Sequence, residues 1–345
     1  MLEHILKEAV RQNASDVHIK AGAVPVFRIN GVLISRQNLP AVSENAITSF
    51  IEQYGTCAVN ETEADFCCRI DGAGSFRVHG YLQNGSPALA VRIIKSAVPA
   101  LSDLNAPPVL EKLAMQRSGL ILVSGPAGSG KSTTLAAMVD FINRNKSAHI
   151  VTLEDPPEYR FTEDKSIISQ RQVGSDTGSF ALGLHAALRQ DPDVIMIGEL
   201  RDAQTAAGAV SAAETGHLVL ATLHTRSAVL AVSRMLDFFA PEKQQQMRAQ
   251  LAENLQGVIA QQLVPGCHGG RTAAFEVLTF TQAVRSLLRD GKAHQLASYM
   301  QSGRQQGMQC MDYALAYLAK TGEITKRTAQ EYAFDIDLLN KYLLQ

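Results

Sequence analysis

The chain has 345 residues, long enough for two domains, and is 46% apolar and 19% charged, the make-up of an ordinary globular protein rather than a disordered or fibrous one. Lys and Arg number 32 against 33 Asp and Glu, which gives no support for a nucleic-acid module driven by phosphate neutralisation. The charged amphipathic start MLEHILKEAVRQN lacks a signal-peptide core, no run is long enough to span a bilayer, and the five cysteines form no CxxC pair. A reducing cytoplasm is therefore expected, without a zinc ribbon or a disulfide framework.

In chain order, residues 3–11 read as a short helix and 14–20 as a strand. Strands at 26–29 and 32–34 flank Asn30-Gly31, a favoured two-residue hairpin turn. A helix is expected over 42–54, then strands at 66–70, 75–82 and 88–94. This predicts a small α+β domain over 1–97 and a Pro-containing linker over 98–108. Arg77 and Arg92 fall on its strands. Such arginines are most simply solvated or ion-paired, although a guanidinium placed over a triphosphate would neutralise its charge.

From residue 109 the pattern alternates: helix 109–117, strand 120–124, helix 134–142, strand 148–154, helix 181–189, strand 194–198, helix 203–214 and strand 217–223. Short apolar strands between helices predict a doubly covered, largely parallel α/β sheet. Helices are expected to dominate after Ser227, with 244–261 as one helix and 271–278 as a late strand. The second domain is expected over 109–345.

Between strand 120–124 and the following helix lies SGPAGSGKSTT: Ser124, Gly125, Pro126, Ala127, Gly128, Ser129, Gly130, Lys131, Ser132, Thr133 and Thr134. Gly, four residues, then Gly-Lys-Ser between a strand and a helix is the Walker A pattern. The glycines turn backbone N–H groups around phosphate oxygens at a helix N-terminus. Lys131 is expected on the β- and γ-phosphates of ATP, and Ser132 on Mg²⁺.

Acidic residues follow two of the apolar strands. Glu154 is the leading general base, while Asp155 and Glu158 either cap a turn or bind arginines. In DPDVIMIGELR, Gly198 stands where a Walker B aspartate is usual and Glu199 follows. Glu199 is expected on the Mg²⁺ through water, on the attacking water, or as a helix cap. His217 and His224 bracket the strand LVLATL. They are read as phosphate contacts or sensors, or as partners of buried backbone groups. Their spacing does not suit a metal pair.

Together these motifs resemble those of the PilT-type pilus retraction motors, a branch of the type II/type IV secretion ATPases. The resemblance rests on ASDVH at 14–18, the Walker A loop, TLEDPPEY at 152–159, DPDVIMIGELRD at 191–202 and AETGHLVLATLHT at 213–225. AVRSLLRD at 283–290 is similar to the AIRNLIRE stretch of retraction motors, and GMQCMD at 307–312 to GMQTMD. Only Cys267 lies where pilus-extension and type II secretion relatives carry a tetracysteine insert.

The resemblance implies a PAS-like N-terminal domain and a RecA-like ATPase domain, in a homohexameric ring. It places the ring in the cytoplasm beneath an inner-membrane pilus platform protein, with a second retraction ATPase as a further candidate partner. It assigns Glu154 as catalytic glutamate, Glu199 to Mg²⁺, and His217 and His224 to the His box. Arg77 and Arg92 become arginines that approach the nucleotide on domain closure. Two alternatives stay open: a Dot/VirB11-like secretion ATPase and a noncatalytic structural ring subunit.

Overall fold

Every residue of the four central strands Gly119–Ser124, His149–Glu154, Val194–Ile197 and Leu218–Leu223 is buried except the half-buried His149. Such strands can exist only where helices cover both faces of a sheet. The computed structural model describes residues 1–29, 31–55, 63–94, 98–267 and 269–344. They divide into two compact units, Met1–Ala97 with Pro156–Arg160, and Val98–Asp155 with Phe161–Gln345.

The first unit contains helices α1 (Leu2–Arg11) and α2 (Glu44–Tyr54). Its strands are β1 (Asp16–Lys20), β2 (Val26–Ile29), β3 (Val32–Ser35), β4 (Glu63–Ile70), β5 (Gly74–Gln83) and β6 (Ser86–Ile94). They form one antiparallel sheet in the order β3-β2-β1-β6-β5-β4. Strands β2 and β3 pair as a hairpin, with Ile29 opposite Val32 and Gly31 at φ +83°; Asn30, like Cys57, lies outside the described residues. Ile5, Leu6, Val17, Phe27, Ile47 and Phe76 form the core beneath the helices. Ser43, expected inside α2, instead caps it by accepting a hydrogen bond from the Ala46 amide, as a short hydroxyl side chain favours.

The second unit is built on β7 (Gly119–Ser124), β8 (His149–Glu154), β9 (Ile167–Gln172), β10 (Val194–Ile197), β11 (Leu218–Leu223), β12 (Leu255–Pro265) and β13 (Arg271–Thr279). The order is β13-β12-β7-β11-β10-β8-β9, parallel throughout except for the antiparallel edge strand β13. Helices α3 (Val109–Ala114), α4 (Lys131–Asn145), α5 (Phe180–Ala187), α6 (Ala203–Glu214), α7 (Ala228–Asp237) and α8 (Pro241–Asn254) join or precede these strands. After β13 come α9 (Gln282–Arg289), α10 (Leu296–Ser302), α11 (Met311–Lys320), α12 (Lys326–Tyr332) and α13 (Ile336–Leu344).

Alternate residues of the same strand feed separate cores. Leu120, Leu122, Ile195, Ile197, Val219 and Ala221 face one side. Ile121, Val123, Val194, Met196, Leu218 and Leu220 face the other, with α3 and α4. Residues before α3 pack with this unit, where Leu101 joins the core of Leu110 and Leu113.

Two elements depart from the sequence reading. Strand β9 was not anticipated, because its IISQRQ pattern is half-buried rather than apolar. The helix expected over 244–261 ends at Asn254, and β12 begins at Leu255. At Gly257 a Cβ would meet Leu113 Cδ1 at 2.6 Å, and the β-branched Val258 and Ile259 suit a strand. Arg285 of α9 closes off α8 by donating to the carbonyls of Ala252 and Glu253 at 2.5 Å each, and to Gln256 Oε1 at 3.2 Å. Thus an arginine of the AVRSLLRD stretch neutralises a helix C-terminus. Among the described residues no helix is long and apolar enough to cross a membrane.

Candidate functional site

The carboxyl ends of β7, β11, β10 and β8 lie side by side, because these strands are parallel and adjacent. Each carries one of the sequence motifs, as expected where ligands bind open α/β sheets. At the end of β7 the chain enters the glycine loop and then α4, whose first residue is Lys131. Gly125, Gly128 and Gly130 all have positive φ, at 154°, 75° and 89°. Gly130 is the residue preceding the helix and is left-handed, a conformation glycine adopts without a Cβ penalty.

Lys131 is buried beneath this loop. Its Nζ donates to the carbonyls of Gly125 at 2.9 Å and Pro126 at 3.0 Å, and lies 3.4 Å from His224 Nδ1. Ser129 Oγ is buried within the loop without a hydrogen-bond partner, an unusual cost for a hydroxyl. Pro126, Ala127 and Gly128 are exposed, while Ser132 and Thr133 are half-buried in the first turn of α4. A left-handed glycine, a helix N-terminus, a buried ammonium and an orphaned hydroxyl together fit a polyphosphate.

Two of the expected ligand hydroxyls are committed to protein partners. Ser124 Oγ bonds the Thr225 carbonyl at 2.7 Å and the Thr225 hydroxyl at 2.5 Å, tying the ends of β7 and β11 together. Thr134 Oγ1 donates to Gln261 Oε1 at 2.7 Å and is fully buried.

Glu199 follows β10 and stands at the centre of a charged network. Arg201 makes a short hydrogen bond to Glu199 and a second, at 3.3 Å, to Asp155. His224 Nε2 lies 3.5 Å from the other Glu199 oxygen. The Arg201 hydrogen bond, opposed by partial burial, holds the Glu199 carboxyl below its ordinary range, so it is ionised at neutral pH. A Cβ on Gly198 would sit 3.2 Å from the Leu153 carbonyl, a tight contact that favours glycine at this position. Arg201 was not singled out in the sequence; its only signal there was its place two residues after Glu199.

Glu154, at the end of β8, is 7% exposed. Its Oε1 accepts from Thr152 Oγ1 at 2.7 Å and from Gln170 Nε2 of β9 at 3.1 Å. Three strand spacings separate β8 from β7, roughly 14 Å at the usual interstrand distance.

His217 and His224 are at opposite ends of β11. The His217 carbonyl accepts from the Gly119 amide where β7 begins, about 20 Å along the strand from the loop. Its ring Nδ1 meets the Ala212 carbonyl at 2.9 Å and Thr215 Oγ1 at 3.2 Å. It therefore fastens the end of α6; of the two histidines, His224 is the one beside Lys131.

Arg77 and Arg92 are direct cross-strand partners on β5 and β6, both exposed. Arg92 Nε donates to Asp16 Oδ1 at 2.9 Å, with Arg28 3.9 Å from the other oxygen. Partial burial raises the Asp16 pKa, but hydrogen bonds from Ser15 and Arg92 outweigh it and hold the carboxyl below its ordinary value. Asp16, the acidic residue of ASDVH, thus anchors Arg92.

Among the described residues no group of three or more His, Cys, Asp or Glu could hold a metal ion. The candidate donors for Mg²⁺ are the Ser132 hydroxyl and the ionised Glu199. This sparse oxygen set fits a cation that keeps several waters and shares phosphate oxygens.

A family model described as type II/IV secretion system protein matches residues 1–327. The chain is 40% identical over 337 residues to the type IV pilus retraction ATPase PilT of Pseudomonas aeruginosa, covering 96% of this chain and 98% of PilT. It is 42% identical over 323 residues to the uncharacterised protein YggR of Escherichia coli K12, covering 93% and 98%. A crystal structure of the pilus retraction motor PilT with bound ADP superposes with a TM-score of 0.89 at 42% identity, covering 99% of both chains.

Proposed function

The chain belongs to the type II/IV secretion system protein family, and we propose that within it this protein is an ATP-driven motor that retracts a type IV pilus. The observation that carries this reading is its end-to-end likeness to the PilT motor, at TM-score 0.89 and 42% identity over 99% of both chains. The N-terminal unit takes the PAS-like role and the second unit the RecA-like role. Subunits assemble as a hexameric ring in the cytoplasm beneath an inner-membrane pilus platform, where a second retraction ATPase is a candidate partner.

The enzyme hydrolyses ATP to ADP and phosphate. Loop amides and Lys131 bind the β- and γ-phosphates, and Lys131 exchanges its loop carbonyls for phosphate oxygens. Ser132 and Glu199 hold Mg²⁺, which neutralises developing phosphate charge when bound. Glu154, oriented by Thr152 and Gln170, prepares the attacking water. His224 bridges Glu199 and Lys131, a position suited to registering loss of the γ-phosphate. Arg77 and Arg92 complete the charge neutralisation on closure of the N-terminal unit. Differential binding of ATP and ADP then biases two conformations, which the ring transmits to the platform.

Deletion of the gene should leave more persistent surface pili, and Glu154→Gln protein should fail to restore their disassembly. Imaging pilus dynamics in these strains provides the test. Loss of pili on deletion would indicate an assembly role instead and overturn the retraction reading.

A further inference from the structure

We propose that Gln261 is a positioning residue that sets the phosphate-binding shape of the P-loop, and so the affinity for nucleotide, without touching the ligand. The proposal rests on the nucleotide-binding reading above. Strand β12 runs parallel beside β7 with Ala260 opposite Ser124. Gln261 consequently stands one residue past that level, where the glycine loop begins. It is a polar side chain only 2% exposed, a placement that demands a specific partner.

Gln261 meets the loop at three points. Its Oε1 accepts the Thr134 hydroxyl at 2.7 Å, fixing the first turn of α4. Its Nε2 packs so closely on Gly130 that a Cβ there would approach to 2.9 Å, and its backbone carbonyl would meet a Cβ on Gly125 at 2.5 Å. One residue thus braces the first glycine of the loop, its last glycine and the helix start. The loop recognises phosphate through the directions of its backbone N–H groups. Those directions depend on the positive-φ glycines and on where α4 begins. An apolar residue at 261 strands a buried Thr134 hydroxyl and removes the side-chain part of the brace, at Gly130 and the helix start, while the backbone carbonyl on Gly125 stays.

Because the brace acts on the loop in every nucleotide-bound state, its loss weakens substrate and transition-state binding alike. That predicts a raised KM with kcat retained. In the full-length enzyme, Gln261→Leu is expected to weaken binding of a fluorescent ADP and to raise KM for ATP about ten-fold, with kcat within about two-fold of wild type. Thr134→Val should produce a similar change, and the double variant should be little worse than either single one, because both remove the same contact. A general loss of folded protein would lower kcat at unchanged KM and so overturn the proposal. Wild-type affinity in Gln261→Leu, or additive effects in the double variant, would also overturn it. Failure of the wild-type chain to bind nucleotide would overturn the underlying reading and this proposal with it.

Discussion

Glu276 of β13 is 5% exposed and joins two helices. Its carboxyl accepts from the Ala228 amide at 2.7 Å and from the Met311 amide at 3.3 Å, the first residues of α7 and α11. One acidic side chain therefore caps two helix N-termini, where negative charge is favoured. Burial nevertheless dominates and pushes its pKa from the ordinary 4.5 up to about 6, against the pull of the two amides. The folded state then holds the proton more tightly than the unfolded chain. The group's contribution is most favourable below the unfolded pKa and is lost as pH rises through the folded pKa. The full loss above that window is about 2 kcal/mol, roughly half of which falls between about pH 5 and about pH 8. Glu276→Gln removes this titration but supplies only one acceptor for two amides, costing about 1–3 kcal/mol. The variant should be clearly destabilised near pH 5 and closer to wild type near pH 8, with the gap narrowing by about 1 kcal/mol. Urea unfolding of both proteins across this range measures the change. Parallel pH dependences would refute the argument that Glu276 carries a raised pKa in the fold.

The donors to Glu154 and the arginine that caps α8 make two further tests. Gln170→Leu should lower kcat roughly ten-fold with little change in KM, because its Nε2 orients the Glu154 carboxylate. A further drop on adding Gln170→Leu to Glu154→Gln would place its action elsewhere. Arg285→Ala strips hydrogen bonds from the Ala252 and Glu253 carbonyls and should cost roughly 1.5–3 kcal/mol of unfolding free energy. A chemical-denaturation midpoint equal to wild type would refute that cap.

Local chemistry made much of the chain legible before its tertiary structure. Gly125 to Ser132 identify a phosphate loop because the glycine conformations, helix start and lysine needed there are encoded within one short stretch. The apolar runs that became β7, β10 and β11 are legible for a similar reason, since strands covered on both faces have no polar face to preserve. Helix α6 fell at its expected bounds because Asp202 caps it locally, accepting from the Thr205 amide at 2.8 Å.

What the tertiary structure decided depends on strand order and register, which no local pattern carries. It set Arg201 between Glu199 and Asp155 and placed the Gln170 amide on Glu154. It also took residues 255–261 from the end of a presumed helix into a strand beside β7, where packing on Leu113 outweighs the helical propensity of the glutamines before it. Gln261 gained its place at the P-loop by that change. The loop's motif is local, but the brace that holds its shape comes from a strand more than a hundred residues away in the sequence.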